Sequence, residues 1–343
     1  MFTKRLSTIL VVMLLILGAV STAWAGDIGV TFQNNGVEYI FSANPENING
    51  TTGNHYTIEK DLYTGYTYDI ELYHHNYTGE TKRFGVALYN PNSSTATITV
   101  NAKVINDCAA TGESTELDMT APLVEQYVLG YGSTSISIPA KSYTFLMYKD
   151  VPTQRTVSGK AKVSTNLSGV KARVFHGPQY VSASTVFSYT RDTDYESNIT
   201  TGFFNYDGKY NSSTIDASTY PTFKLSEWRP SLNVNEYETG SNVLGSSILG
   251  GNYGMTYTIT VKNAANKRLK IIPNFKNLDC PAAALVLYSP QIGWFRTGKL
   301  INDKDSDYYD QYWLMSMGTS STFTFKYILP ASNFGNVSFQ VID

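Results

Sequence analysis

Cysteine is nearly missing from this chain of 343 residues: Cys108 and Cys280 are its only two. Histidine is almost as scarce, with His55, His74, His75 and His176. His74 and His75 are neighbours, and on a strand neighbours point to opposite faces, so only one of them can join His55 or His176 around an ion. Zinc and copper sites need three or four ligands in defined geometry, so the expectation is histidines that face solvent or are satisfied in the core. No G-x-S-x-G elbow occurs, and Gly245-Ser246-Ser247 belongs to a Gly/Ser loop. Neither cysteine has a histidine close by in sequence, and no local motif singles out a pair of carboxylates for glycoside chemistry. Positive charge is also thin: the formal net charge is −2, and the densest basic group, Lys267-Arg268-Leu269-Lys270, reads as the exposed rim of a strand. Such a surface speaks against nucleic acid and anionic membranes as partners. These absences together lead to the expectation of a protein that is not an enzyme.

The one long apolar run lies at the start. Lys4 and Arg5 precede the run Ile9 to Val20, and Ala23-Trp24-Ala25 follows as an A-x-A cleavage site. The expectation is a signal peptide over 1–25 and a mature chain starting at Gly26. The run is short for a membrane span, which needs about 20 residues. No second run is long enough, so no transmembrane segment is expected in the mature chain. Loss of Lys4 and Arg5 moves the charge to about −4. Secretion follows, or retention at the cell envelope.

Hydrophobic alternation dominates the rest. Thr95 to Val104 puts every even position apolar and every odd one polar, and Ser133 to Ile138, Thr256 to Val261 and Thr322 to Tyr327 repeat the pattern. Period two marks strands with one buried and one wet face. Polar turns such as Asn90-Pro91-Asn92-Ser93-Ser94 and Asn166-Leu167-Ser168-Gly169 separate the runs. The pattern predicts strands at 66–73, 82–90, 95–104, 133–138, 142–149, 155–163 and 169–176, and no amphipathic helix of three turns. The expected fold is all-β, with two tandem antiparallel β-sandwich domains over 27–185 and 191–343 in modest contact.

The two cysteine segments support a tandem repeat. Val104-Ile105-Asn106-Asp107-Cys108-Ala109-Ala110 is echoed by Phe275-Lys276-Asn277-Leu278-Asp279-Cys280-Pro281-Ala282-Ala283, and Asn90 and Asn263 repeat the cysteine offset to within one position. An exported chain meets conditions in which Cys108 and Cys280 can form a disulfide. Closing so long a loop contributes about 4–5 kcal/mol in the chain-entropy picture. Two buried free thiols are the other reading.

The stretches Tyr68-Asp69-Ile70-Glu71-Leu72-Tyr73-His74-His75-Asn76-Tyr77, Phe84 to Asn92 and Gly250-Gly251-Asn252-Tyr253-Gly254-Met255-Thr256-Tyr257 resemble secreted Firmicutes proteins often labelled as containing a copper amine oxidase N-terminal-like (stalk) domain. The resemblance spans roughly 55–343. It implies a bacterial exported or cell-surface all-β protein. It does not imply amine oxidation, which needs a tyrosine-derived quinone and copper held by three histidines.

Two groups of residues remain as candidate sites. Asp303, Asp305 and Asp307 alternate oxygens as in a calcium loop, but the loop glycine and the closing glutamate are missing, so calcium competes with a solvated loop. The chain carries 26 tyrosines and 16 phenylalanines. Trp294, Tyr309 and Trp313 sit in the aromatic-rich segments 291–296 and 308–313, where a flat face could stack on a sugar; the alternative is that these rings fill cores. The sequence therefore leads to a secreted, non-catalytic structural or interaction protein, with a cell-envelope component as partner. The alternative is a carbohydrate-binding protein with a glycan ligand.

Overall fold

The computed structural model describes residues 28–49, 54–192, 201–226, 228–229, 234–235, 237–242, 245–273, 282–301, 311–333 and 337–343. The chain is all-β, as the alternation requires. The seven strands predicted in the first half are found at Thr67–Tyr77, Lys82–Tyr89, Ala96–Ala109, Thr134–Ile138, Tyr143–Val151, Arg155–Thr165 and Val170–Pro178.

A nine-stranded and a five-stranded sheet enclose one core, in which Ile40, Leu72, Val86, Leu88, Ile98, Val100 and Val163 are buried. A seven-stranded and a four-stranded sheet enclose a second, with Ile259, Leu269, Phe325 and Phe339. Each fully buried side chain of this kind contributes roughly 1.5–3 kcal/mol. In the second core Phe223 and Phe339 stack with ring centroids 5.4 Å apart.

The sheets are mixed rather than purely antiparallel. Glu38–Ser42 runs parallel to Thr67–Tyr77, and Gly208–Asn211 runs parallel to Thr256–Lys262. The cause is a crossover. Between Glu38–Ser42 and Thr67–Tyr77 the chain visits the five-stranded sheet as His55–Leu62 and returns in its original direction.

Hydrogen bonding also crosses the boundary expected near 185–191, in both directions. Phe32–Asn35 pairs with Gly208–Asn211 at the edge of the seven-stranded sheet. Thr201–Phe204 pairs with Glu38–Ser42 in the nine-stranded sheet, and the hairpin Thr239–Asn242 and Gly245–Ile248 extends that sheet further.

One helix, Glu113–Val128, departs from the expectation of no helix of three turns. Gly112 precedes it at φ 121°, and Pro122 lies inside. Leu117 and Ala121 pack on Ala284, while Leu123 and Val124 pack on Val286 and Ile328. Glu125 pairs with Arg296, and Asp118 lies 2.7 Å from Lys299. The helix is thus wedged between the two halves and buried on several sides, so its apolar positions do not form the single stripe by which a surface helix is recognised. Among the described residues no helix is long and apolar enough to cross a membrane.

Candidate functional site

Alternation along Thr67–Tyr77 sends Tyr68, Ile70 and Leu72 into the first core. It sends Asp69, Glu71, Tyr73, His75 and Tyr77 to the opposite face. The antiparallel neighbour Arg155–Thr165 places Lys162 opposite Asp69 and Lys160 opposite Glu71. In an isolated sandwich this face would be wet. Here the second half of the chain and the helix cover it, so a charged sheet face becomes an interior.

At its centre Lys160 is fully buried. Its Nζ lies 2.6 Å from Glu71 Oε2 and 3.1 Å from Asp69 Oδ2. The Tyr39 hydroxyl donates to Glu71 at 2.7 Å, and the Tyr39 ring centroid is 4.5 Å from the ammonium. Burial alone would depress the lysine, but Asp69 and Glu71 outweigh it and raise its pKa. Gly254 closes the group from the second half, with its carbonyl 3.3 Å from Lys160 Nζ. Its φ is +72°, and a Cβ there would stand 2.2 Å from Glu71 Oε2 and 2.4 Å from the Tyr39 hydroxyl. Only glycine fits this approach.

A cleft opens on each side of this group. The first, of about 380 Å³, lies at the Asp69 end. It is walled by Asn35, Asp69, Asn101, Tyr127, Lys162, Asp207, Thr256, Thr258, Lys326 and Trp294. Lys162 holds Asp207 at 2.9 Å, and Asp207 also accepts from the Val37 amide at 2.8 Å. The Asp69 and Tyr127 side chains interact with each other, but Asp69 Oδ1 and the Tyr127 hydroxyl make no hydrogen bond of good geometry among the described residues, although Asp69 is 2% and Tyr127 7% exposed. Burial pushes the Asp69 carboxyl up to about 6 despite Lys160 and Lys162.

The second cleft, of about 350 Å³, lies at the Tyr73 end and is walled by Phe41, Glu46, Tyr73, His75, Tyr77, Glu116, Tyr253 and Ser332 among others. Glu116 sits in the first turn of the helix. It accepts from the Tyr73 hydroxyl at 2.7 Å and from Thr156 at 2.6 Å, and His75 Nε2 lies 3.3 Å away. Burial opposes ionisation of Glu116, but hydrogen bonds from His75, Thr156 and Tyr73 outweigh it and hold the carboxyl down to about 2.

The residues singled out from sequence meet different fates. Trp294 is partly exposed at the first cleft, and its ring stands edge-on to Tyr288 at 5.5 Å. Trp313 does not share a platform with it. Trp313 packs against the second core beside Phe295, 5.9 Å away, while Trp294 packs with Leu123 and Val124. Residues 294 and 295 alternate across one strand, so the two tryptophans lie on opposite faces of that sheet. Tyr309, Asp303, Asp305, Asp307 and Cys280 lie outside the described residues.

Among the described residues Cys108 is a free thiol. It stands opposite Thr156 in the sheet, and burial followed by the Glu116 charge pushes it up to about 11. At neutral pH it is a protonated, unreactive group.

His74 donates from Nδ1 to the Pro45 carbonyl at 2.8 Å and reaches Ser42 at 3.0 Å, and burial lowers it to about 4. His176 contacts Asp192 at 3.0 Å. No set of three His, Cys, Asp or Glu side chains among the described residues is arranged to hold a metal ion.

Sequence reasoning passed over Asp69, Lys160, Lys162, Asp207, Tyr127 and Glu116. A signal was present: Asp69 and Glu71 occupy one strand face and Lys160 and Lys162 occupy one face of another, a complementary pattern that cross-strand pairing would bring together.

No protein-family model and no curated protein matches the chain. Among solved structures, that of the M60 catalytic domain with the CBM51-1 and CBM51-2 domains from Clostridium perfringens ZmpB is aligned at 7% identity with a TM-score of 0.18. The alignment covers 94% of this chain and 38% of that one, so the chain spans well under half of that protein's length. A likeness at this level carries no argument about fold or site.

Proposed function

We propose that this is an exported, non-catalytic binding protein of the cell envelope whose first cleft takes a glycan. The observation that carries the reading is that the Asp69 and Tyr127 side chains, which interact with each other without Asp69 Oδ1 or the Tyr127 hydroxyl making a hydrogen bond of good geometry, wall a cleft that also holds Trp294. Buried polar atoms lose free energy unless something bonds them. A sugar offers hydroxyl donors to the carboxylate, acceptors to Lys162 and Lys326, and an apolar ring face to the indole. The volume, about 380 Å³, falls within the range of small-ligand sites. Export rests on the signal-like segment 1–25 and on the resemblance to secreted proteins.

A glycan array followed by calorimetry tests this. Binding to a defined set of saccharides, weakened by Trp294→Ala, supports the reading. Flat responses across all saccharides return the protein to a structural or interaction module. Release of product from a bound glycan, lost in Asp207→Asn, would make it a hydrolase instead.

A further inference from the structure

We propose that the second cleft is a separate site for an organic ammonium cation. Three observations carry this. First, Glu116 is a carboxylate with 3% exposure that takes hydrogen bonds from the Tyr73 and Thr156 hydroxyls and faces one imidazole, His75, whose Nε2 lies 3.3 Å from it while Nδ1 lies 3.0 Å from Asn47 Oδ1. No lysine or arginine stands within ion-pair distance of it among the described residues. A buried carboxylate whose only nearby cationic side chain among the described residues is an imidazole favours a further cation beside it. Second, Glu46 stands at the mouth with its side chain 48% exposed, 3.8 Å from His75, so the wall is acidic, and none of its residues is a lysine or arginine. Third, the remaining surface is aromatic. Tyr73, His75 and Tyr77 form a run of edge-to-face rings with centroids 5.4 and 5.8 Å apart, and Phe41 and Tyr253 stand in the same cavity.

Ring faces and carboxylates together are the chemistry that holds an alkylated ammonium group. A bare metal ion is a poorer occupant. Both Glu116 oxygens are already engaged by hydroxyl donors, and no metal-competent set of side chains exists among the described residues. An anion would meet the two carboxylates.

Calorimetry and the His75 ring resonances in NMR read the test, with tetramethylammonium and n-butylammonium as probes. Their neutral counterparts, tert-butanol and n-pentanol, serve as controls. Both cations are expected to bind and shift the His75 signals, and both alcohols to leave them unmoved. Tyr77 is 40% exposed, so Tyr77→Ala keeps the fold while weakening the cations about tenfold. Glu46→Gln weakens them in the same direction, and Trp294→Ala has no effect. N-acetyl-lysine methylamide separates the sources: binding tighter than n-butylammonium assigns the site to a lysine of a protein partner, and weaker binding assigns it to a free amine. Equal binding of alcohols and cations, or unchanged cation binding by the Glu46→Gln, Tyr77→Ala double variant, overturns the proposal. Loss of glycan binding alone leaves it standing.

Discussion

The two clefts share one strand yet shift their carboxylates in opposite directions. Asp69 is 2% exposed and Glu116 3%, but Asp69 lies deeper among protein atoms, and burial weighs more heavily on it. Asp69 is pushed up to about 6 and Glu116 is held down to about 2. The donors differ too. Glu116 receives hydrogen bonds from His75, Thr156 and Tyr73, with hydroxyl donors on both oxygens. Asp69 shares Lys160 with Glu71 and leaves one oxygen without a hydrogen bond of good geometry. Deeper burial with fewer hydrogen bonds to the charged form pushes Asp69 up, and shallower burial with more donors, His75 first, holds Glu116 down. The donor count separates the roles proposed for the clefts. An under-supplied carboxylate suits a ligand that donates; a saturated one acts through its charge.

The partition between the clefts is the most sensitive point of this contrast. Lys160→Met leaves Asp69 and Glu71 buried without their cation, and is expected to cost about 3–5 kcal/mol in denaturant unfolding, with ligand binding in both clefts impaired. A loss under about 1 kcal/mol would show that the lysine does not hold the face together.

Next in size is Gly254→Ala. The new methyl would meet Glu71 and Tyr39, and stability should fall by about 1–3 kcal/mol. A neutral outcome would mean that the second half stands further from Lys160 than described.

Trp294→Ala should weaken saccharides about tenfold through loss of the ring face and leave ammonium binding unchanged. An equal effect on both ligands would erase the distinction between the clefts.

Smaller effects should appear in the pH dependence of melting temperature. The folded value for Asp69, about 6, lies above its ordinary 3.8. Its contribution is therefore full below pH 3.8 and is lost as pH rises through 6. Lys160, Lys162, Glu71, Asp207 and Tyr127 are the charged and titratable groups around it. Glu116 behaves in reverse: its folded value of about 2 lies below the ordinary 4.5, so its contribution is present above pH 4.5 and is lost as pH falls toward 2. Asp69→Asn should flatten the profile between pH 4 and 6, and Glu116→Gln the profile below 4.5. Profiles changed in the same window by both variants would contradict the opposite shifts.

Much of the fold was legible because its strands obey period two. Thr95 to Val104 reads as a strand from its side chains alone, and Ala96–Ala109 is one. The helix was hidden because Leu117, Met119, Thr120, Leu123, Val124 and Tyr127 are all buried, which blurs any one face, and because Pro122 speaks against a helix. The site was hidden for a different reason. A charged strand face looks solvated until its cover is known, and that cover comes from Gly254, Thr256 and Trp294, far along the chain. The pairing of Trp294 with Trp313 failed because nearness in sequence says nothing about which side of a sheet a ring takes.

The exchanged strands also set an order of completion. During synthesis Phe32–Asn35 and Glu38–Ser42 emerge early, yet their partners Gly208–Asn211 and Thr201–Phe204 come some 170 residues later. Until then the outer edge of Glu38–Ser42 carries unpaired amides and carbonyls, a template for any passing strand. A fragment ending near residue 185 would keep that edge open permanently. The stretch 32–42 is thus made well before it is finished, and its safe passage depends on the later half arriving before another chain does.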